Sequence, residues 1–151
     1  MKLIAIDPGN TESAYVVLDE NYKILEFGKI ENNALNWKLH GSYYDDFVIE
    51  MIASYGMAVG KEVFDTCVWI GRFWETAKTQ NKAYVYRKEE KMNLCGSMRA
   101  KDTNIRQALI DRFGVVGTKK MPGIFYGFAK DIWAAMAVGV TYLDKVNGGC
   151  E

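Results

Sequence analysis

The chain has 151 residues, of which 49% are hydrophobic, 13% aromatic and 25% charged, and its formal net charge is zero. This length suits one domain of about 100–200 residues, which buries enough surface to need no disulfide or structural metal for stability. The composition excludes a disordered chain, and the longest nearly apolar run, residues 132–143, is shorter than the roughly 20 residues that cross a membrane. The three cysteines, Cys67, Cys95 and Cys150, show no zinc-binding spacing, which favours a reducing, cytoplasmic location without membrane attachment.

The charges are unevenly distributed along the chain. Residues 1–60 have a balance of −5, residues 61–130 a balance of +7, and residues 131–151 a balance of −2. A basic middle segment between acidic segments is typical of a phosphate-binding face beside a carboxylate cluster. Chance asymmetry on a solvated surface explains the same pattern.

The first 50 residues predict a β-rich unit. The apolar run at 2–6 is typical of a strand covered on both faces, and Asp7-Pro8-Gly9-Asn10 after it is a strong turn signal. The predicted elements are, in chain order, a strand at 2–6, hairpin strands at 13–18 and 22–30, a short helix at 34–40 capped by Asn32 or Asn33, and an apolar strand at 44–50.

The rest of the chain predicts mostly helices. Its expected elements are a helix at about 60–79, a strand at 83–86, a mobile polar loop at 87–100, a helix at 100–113 and a final helix near 129–145. We summarise the order as βββαβαβα, an α/β fold with a five-stranded mixed sheet flanked by helices. Without a linker or an internal repeat, we expect one domain over residues 1–147 and a short tail at 148–151.

Three acidic residues stand at positions that would bring them together. Asp7 and Glu50 each end an apolar strand, and Asp131 begins the last helix, whose small residues Ala134 and Ala135 would allow close packing on the sheet. If the two strands are parallel neighbours, their carboxyl ends meet at one edge of the sheet, where open α/β sheets place their sites. Taken singly, each acid has a simpler explanation as a turn residue, a strand end or a helix N-cap.

Carboxylates gathered at the rim of an apolar core repel one another, and a divalent cation would remove that conflict. Mg²⁺ prefers oxygen ligands and completes its shell with water and substrate phosphate oxygens. Two such ions can activate water and stabilise the leaving oxygen in phosphodiester cleavage. We therefore expect Asp7, Glu50 and Asp131 to bind Mg²⁺, or Mn²⁺, at two sites.

These residues also carry a family resemblance. The segment Ile4-Ala5-Ile6-Asp7-Pro8-Gly9-Asn10-Thr11, then Val48-Ile49-Glu50, then Asp131 in an Ala-rich helix resemble RuvC-type Holliday junction resolvases. Lys61-Glu62-Val63-Phe64 and Trp69-Ile70-Gly71-Arg72 look most like bacteriophage-encoded members. The likeness covers residues 1–145. It implies a ribonuclease H-like fold, a homodimer and metal-dependent paired nicking of four-way DNA junctions by a metal-activated water.

The resemblance has one further match and one departure. Ala100-Lys101, followed by Ile105 and Ala108, is similar to a family segment in which a lysine lies near the cleaved DNA, so Lys101 joins the expected catalytic residues. The family usually carries a fourth acid or a histidine one turn before the last catalytic aspartate, and here that position is Phe128. The second metal site would then be weaker, use another residue such as Asp102, or depend on substrate oxygens.

Basic and apolar side chains suggest the expected partners, branched DNA and a second copy of the chain. The candidate DNA contacts are Tyr55, Arg87, Lys88, Lys91, Arg99, Lys101, Arg106, Lys119, Lys120 and Lys130. One stripe at helical spacing exceeds what a single core contact needs, and it is a candidate dimer interface: Val63, Cys67, Ile70, Trp74 and Ala77. Burial within one chain explains the stripe equally well from sequence alone.

Two other functions remain open at this point. Because Phe128 interrupts the acid set, the chain could bind branched DNA with weak or no cleavage. It could also be another ribonuclease H-like nuclease, such as a YqgF-like enzyme directed at RNA. The sequence contains no Gly-rich phosphate loop, so we expect no nucleotide cofactor.

Overall fold

The computed structural model describes residues 1–148, which form one sheet with helices on both faces. The five strands are β1 (Leu3–Asp7), β2 (Glu12–Leu18), β3 (Ile24–Glu31), β4 (Asp46–Met51) and β5 (Asn81–Tyr86). Their order across the sheet is β3-β2-β1-β4-β5. The pairs β3–β2 and β2–β1 are antiparallel, whereas β1–β4 and β4–β5 are parallel. The predicted mixed sheet of five strands is therefore confirmed.

Five helices cover this sheet. They are α1 (Asn32–Gly41), α2 (Lys61–Thr76), α3 (Arg87–Cys95), α4 (Asp102–Phe113) and α5 (Lys130–Asn147). One apolar core lies between α5 and the sheet face that carries Leu3, Ala5 and Val16. A second core packs Leu35, Ile70 and their neighbours, from α1 and α2, against the other face. Both faces of the central strand β1 are thus buried, as its continuous apolar run predicts.

The segment at 87–100 corrects the sequence prediction. It was expected to be a mobile loop, but its first nine residues form α3. The backbone N–H of Tyr86 donates to Glu89 Oε2 at 2.7 Å, which caps the first turn, and Gly96 ends the helix with φ of 68°. The pattern is hard to detect because the inward position that usually carries an apolar residue is Glu90. Three helices follow β5, one more than the two predicted at 100–113 and 129–145, so the summary βββαβαβα has too few helices at its end.

Other boundaries differ by a few residues. The helix expected at 60–79 ends at Thr76, and Glu31, rather than Asn32 or Asn33, is the N-cap of α1. Gly148 ends α5, while the rest of the expected tail, residues 149–151 with Cys150, lies outside the described residues. Among the helices of residues 1–148, none combines the length and the apolar character that a membrane span requires.

Candidate active site

A row of side chains crosses the sheet at its carboxyl edge. Ile6 of β1 is paired with Ile49 of β4, so the next residues, Asp7 and Glu50, lie side by side. Asp7 is also paired with Ala14 of β2, and Ala14 with Lys29 of β3. Because paired residues on neighbouring strands project from the same face, these side chains share the face that α5 covers. The parallel neighbours that the sequence predicted thus place two carboxylates together.

Helix α5 brings the third carboxylate over this row. Asp131 lies in its first turn, and the helix axis passes close to β1 and β2. A Cβ atom on Gly139 would lie 2.9 Å from Leu18 Cδ1 and 3.0 Å from Ala5 Cβ, so only glycine permits this approach. Of the two alanines expected to allow close packing, Ala135 is buried in this contact, whereas Ala134 faces a pocket.

The three acids line one pocket of about 480 Å³. Arg87, Asp102, Arg106 and Lys130 contribute polar groups to the same walls, and Trp133 and Phe128 contribute apolar surface. The juxtaposition expected from sequence is therefore present. The chemical roles of Asp7, Glu50 and Asp131 stay predictions at this point.

The turn after Asp7 is fixed by a buried hydrogen-bond cycle that sequence reading missed. The Gly9 N–H donates to Ser13 Oγ at 3.1 Å, and the Ser13 hydroxyl donates to Asn32 Oδ1 at 2.6 Å. The Asn32 amide then donates to the Gly9 carbonyl at 2.9 Å. Since Ser13 and Asn32 are almost fully buried, this cycle holds the end of β1, and with it Asp7, in one conformation.

The electrostatics of the pocket are those of crowded acids. Burial raises the pKa of Asp7 to about 8, and the negative charges of Glu50 and Asp131 contribute to the same shift. Burial also raises the pKa of Glu50. Its Oε2 atom is buried and finds no hydrogen-bond partner within residues 1–148. At both carboxyls, burial outweighs the opposite effect of the nearby basic side chains, so the neutral form is favoured.

Glu90 is a fourth acid that the sequence analysis did not identify. Its side chain is fully buried, close enough to Glu50 for the two carboxyls to influence each other's charge. Burial, followed by the charge of Glu50, raises the pKa of Glu90 to about 10. Arg87 Nη1 lies 2.9 Å from Glu90 Oε1. The only sequence signal was this i,i+3 spacing of opposite charges, which has meaning only once the segment is known to be helical.

Two basic side chains partly neutralise the acids. Arg87 bridges Glu90 and Asp102, and this contact lowers the pKa of Asp102. Lys29 Nζ lies 2.6 Å from Asp131 Oδ2. Arg87 was expected to contact DNA, but its guanidinium is committed inside the pocket. Asp102, considered as a substitute for the missing fourth acid, is likewise held by Arg87.

The donor set fits a hard divalent cation, although the side chains are not arranged around one. Within residues 1–148, no group of three Asp, Glu, His or Cys side chains is close enough to hold a metal ion jointly. Asp131 and Asp102 point to their basic partners instead. The shared pocket, the raised pKa of Asp7 and the unpartnered Glu50 Oε2 atom are what a site for an oxygen-preferring cation would show without it.

Phe128 occupies the position of the missing acid for a structural reason. Its ring lies 4.7 Å from that of Phe27, 5.1 Å from that of Phe125 and 5.0 Å from that of Trp133, measured between centroids. This aromatic cluster packs the start of α5 against β3. Phe128 therefore belongs to a packing cluster at the pocket wall and offers no ligand atom.

Of the other predicted DNA contacts, only two line the pocket, and most of the rest are exposed. Arg106 and Lys130 line it, and Arg106 lies over the Trp133 ring at 5.1 Å. Lys101 is the exposed N-cap of α4 and is not among the lining residues. Tyr55 is 65% exposed in the loop after β4. The remaining candidates are exposed, except Lys91, which is half-buried: Lys88, Lys91, Arg99, Lys119 and Lys120.

The predicted dimer stripe on α2 needs correction. Ile70 and Ala77 are buried in the core beneath the sheet, and Trp74 stacks on Tyr84 with centroids 4.2 Å apart. The stripe thus faces its own chain, because the helix buries its most apolar side first. Val63 and Cys67 lie at the border of this face. The apolar side chains that α2 exposes are Phe64, at 61%, and Val68, at 53%.

Comparison with known proteins identifies the architecture. No protein-family model and no curated protein sequence matches the chain. Among solved structures, RuvC of Thermus thermophilus superposes with a TM-score of 0.70 and 13% identity, covering 98% of this chain and 97% of that chain. The same RuvC in complex with a Holliday junction substrate gives 0.66 and 14%, covering 93% and 92%.

The similarity extends to a viral protein. Fowlpox virus resolvase, in a complex with its substrate Holliday junction DNA, superposes with a TM-score of 0.56 and 14% identity, covering 97% of this chain and 99% of that chain. These superpositions span nearly the whole length of each partner. The chain has the ribonuclease H-like fold of RuvC.

Proposed function

We propose that the protein is a metal-dependent endonuclease that resolves Holliday junctions and other branched DNA by paired nicks. The observation that carries this proposal is the convergence of Asp7, Glu50 and Asp131 on one pocket at the carboxyl edge of a RuvC-like sheet. Fold alone would not justify it, since one fold hosts many activities. The three carboxylates are what points to metal-dependent phosphodiester cleavage in particular.

Asp7, Glu50 and Asp131 would hold Mg²⁺ or Mn²⁺, at up to two sites. Such cations supply activation of the attacking water and neutralisation of charge at the leaving oxygen. Asp7 and Glu50 project from adjacent strand ends, so the sheet itself fixes their separation. Asp131 arrives on a separate element, and Lys29 holds its carboxylate. Arg87 lines the pocket and pairs with the buried Glu90.

Basic side chains around the pocket would bind the DNA backbone. Arg106 and Lys130 lie on its walls, Lys101 stands at the start of α4, and Lys88, Arg99, Lys119 and Lys120 are exposed on the neighbouring segments. Contacts of this kind position a duplex without reading its sequence. Tyr55, exposed at the tip of the loop after Glu50, is suited to stack on an unpaired base at a branch point.

Paired nicking requires two pockets acting on one junction. We propose a homodimer, formed through the exposed apolar side of α2 around Phe64 and Val68. A two-fold axis between the copies would match the symmetry of a four-way junction.

The test is cleavage of end-labelled four-way, three-way and linear DNA, and of an RNA–DNA hybrid, in Mg²⁺ and in EDTA. We expect Mg²⁺-dependent nicks placed symmetrically about the centre of the four-way junction. Preferential cleavage of the hybrid would instead support an RNA-directed nuclease.

Two structural features favour a second candidate, a branched-DNA binding protein with weak or no cleavage. Phe128 stands in place of an acid, and basic partners hold Asp131 and Asp102. This alternative predicts tight, salt-sensitive junction binding with intact strands in Mg²⁺ and in Mn²⁺. The cleavage assay described above distinguishes this alternative from the nuclease.

A further inference from the structure

Lys29 lies on the edge strand β3, with its side chain on the face that α5 covers. It belongs to the row that Ala14 and Asp7 continue. Its Nζ atom meets Asp131 Oδ2 at 2.6 Å. The contact joins the outermost strand to the first turn of α5, 102 residues later in the chain.

The space around Lys29 is open. The residue between it and Asp7 in the row is Ala14, whose small side chain leaves a cavity of about 240 Å³. Asp7, Lys29 and Asp131 line this cavity, and Asp7 and Asp131 also line the main pocket. The two acids therefore form a shared wall, with the ammonium group of Lys29 on one side and the remaining site on the other.

The ion pair between Lys29 and Asp131 is also weak enough for another cation to replace Lys29. The side chains are 42% and 39% exposed, and ion pairs this exposed contribute little to stability. A divalent cation carries twice the charge of the ammonium group and prefers carboxylate oxygens. Lys29 and such a cation would compete for the same carboxylate oxygen.

We propose that Lys29 is a positioning residue that holds Asp131 until a divalent cation takes its carboxylate, and then binds a DNA phosphate beside the pocket. This inference rests on the proposed nuclease function. The Lys29 side chain would have two positions, one paired with Asp131 and one on a DNA phosphate. Both are within its reach, because the flexible side chain that leaves Asp131 stays on the same open face. The compact ammonium group has three donors and suits a phosphate oxygen.

The first test is calorimetric titration of Mn²⁺ into the full-length protein without DNA at physiological salt. Lys29→Met keeps the aliphatic stem and removes the competing charge, so Mn²⁺ should bind about two- to fivefold tighter, the range an exposed ion pair can supply. Lys29→Arg should stay at the wild-type value. The matched control is Lys130→Met, which removes a charge next to Asp131 from a lysine that has no ion pair within residues 1–148, and it should change the affinity less.

The second test measures junction binding with and without Ca²⁺ as the cation. In Ca²⁺, Lys29→Met should weaken binding and reduce the slope of log K against log salt by about 0.9, the loss of one phosphate contact. In EDTA, the variant should bind as the wild type does. Lys23→Met, at the other end of the β2–β3 hairpin, should leave both values unchanged.

The outcomes separate the two proposals. If the wild type binds Mn²⁺ and Lys29→Met binds it no more tightly, the inference about Lys29 is overturned while the nuclease stands. If Lys130→Met tightens Mn²⁺ binding as much as Lys29→Met does, the loss of any nearby positive charge explains the effect. The inference that the Lys29–Asp131 ion pair competes with the cation is then overturned. If the wild type binds no Mn²⁺ and does not cut junctions, both proposals fail.

Discussion

Asp7 lies where the sheet forces negative charges together, so it is the residue whose neutral replacement should be most informative. Asp7→Asn keeps the size of the side chain and removes its charge. We expect the rate of junction cleavage to fall by a factor of about 100 or more. Metal catalysis lowers the activation free energy by several kcal/mol, and each 1.36 kcal/mol changes the rate tenfold. Junction binding should change little in a gel-shift assay.

The control for this variant is Asp111→Asn, an exposed acid on α4 that accepts a hydrogen bond from Gln107 at 2.7 Å. It should cleave as the wild type does. Full Mg²⁺-dependent cutting by Asp7→Asn would rule out the proposed site.

The raised pKa of Asp7 also makes the stability of the metal-free protein depend on pH. The folded carboxyl titrates at about 8 and the unfolded one near 3.8, so the folded state binds more protons between these values. The free energy of unfolding therefore falls as pH rises from about 4 to about 8, and Glu50 and Glu90 act with the same sign. Thermal unfolding in EDTA at intervals between pH 5 and 9 should show this decline.

Two additions make the pH measurement specific. Asp7→Asn should give a shallower decline, because one titrating group is gone. Mg²⁺ should raise the midpoint most at high pH, where the carboxylates are ionised. A profile for Asp7→Asn that parallels the wild type would show that other groups cause the dependence.

At the scale of elements, the contact between α5 and β1 decides whether Asp131 reaches the strand ends. Gly139→Ala places a Cβ atom 2.9 Å from Leu18 Cδ1 and 3.0 Å from Ala5 Cβ, so either the helix or these two side chains must shift. We expect a loss of about 1–3 kcal/mol in the free energy of unfolding, the usual cost of overpacking, and reduced cleavage. Urea denaturation measures the first and the junction assay the second.

The control is a glycine-to-alanine substitution at a position where the added methyl group meets no other atom. Gly41 is the last residue of α1, and an added Cβ meets nothing within 4 Å. Gly41→Ala should not lower stability, because alanine is the better helix former. Equal effects at the two positions would mean that α5 tolerates the added methyl group by local adjustment.

At the scale of the whole molecule, the exposed apolar side of α2 carries the proposed dimer. Phe64→Lys places a charge at the centre of this surface without disturbing the core beneath it, since Phe64 is 61% exposed. We expect a dimeric wild type and a monomeric variant in sedimentation experiments, with nicking of one junction strand uncoupled from nicking of the other. Val146→Lys, at a 54% exposed position near the end of α5, should remain dimeric. A wild type that is monomeric at all concentrations contradicts the dimer.

Local patterns were sufficient to predict much of this protein. The apolar runs that end in Asp7 and Glu50 predict buried strands, and the hairpin between them predicts how the sheet begins. The parallel pairing of β1 and β4, and with it the adjacency of the two acids, followed from those strands and the helix that connects them. Asp131 could be placed because a long apolar helix has few ways to cover such a sheet.

Tertiary structure alone decided the partners of those acids. The Lys29–Asp131 pair joins β3 to α5 and has no local pattern that marks it. The i,i+3 spacing of Arg87 and Glu90 is local, but it has meaning only once the segment is known to be a helix whose inner face is buried. The segment of Glu90 resembled a loop, since a buried acid replaced the apolar residue that would reveal a helix. The apolar stripe on α2 likewise predicted that one face of the helix is buried. It did not show whether a second copy or the chain's own sheet covers that face. Side-chain periodicity depends on the local backbone, whereas charge pairing and burial depend on which distant segments the folded chain brings within a few ångströms.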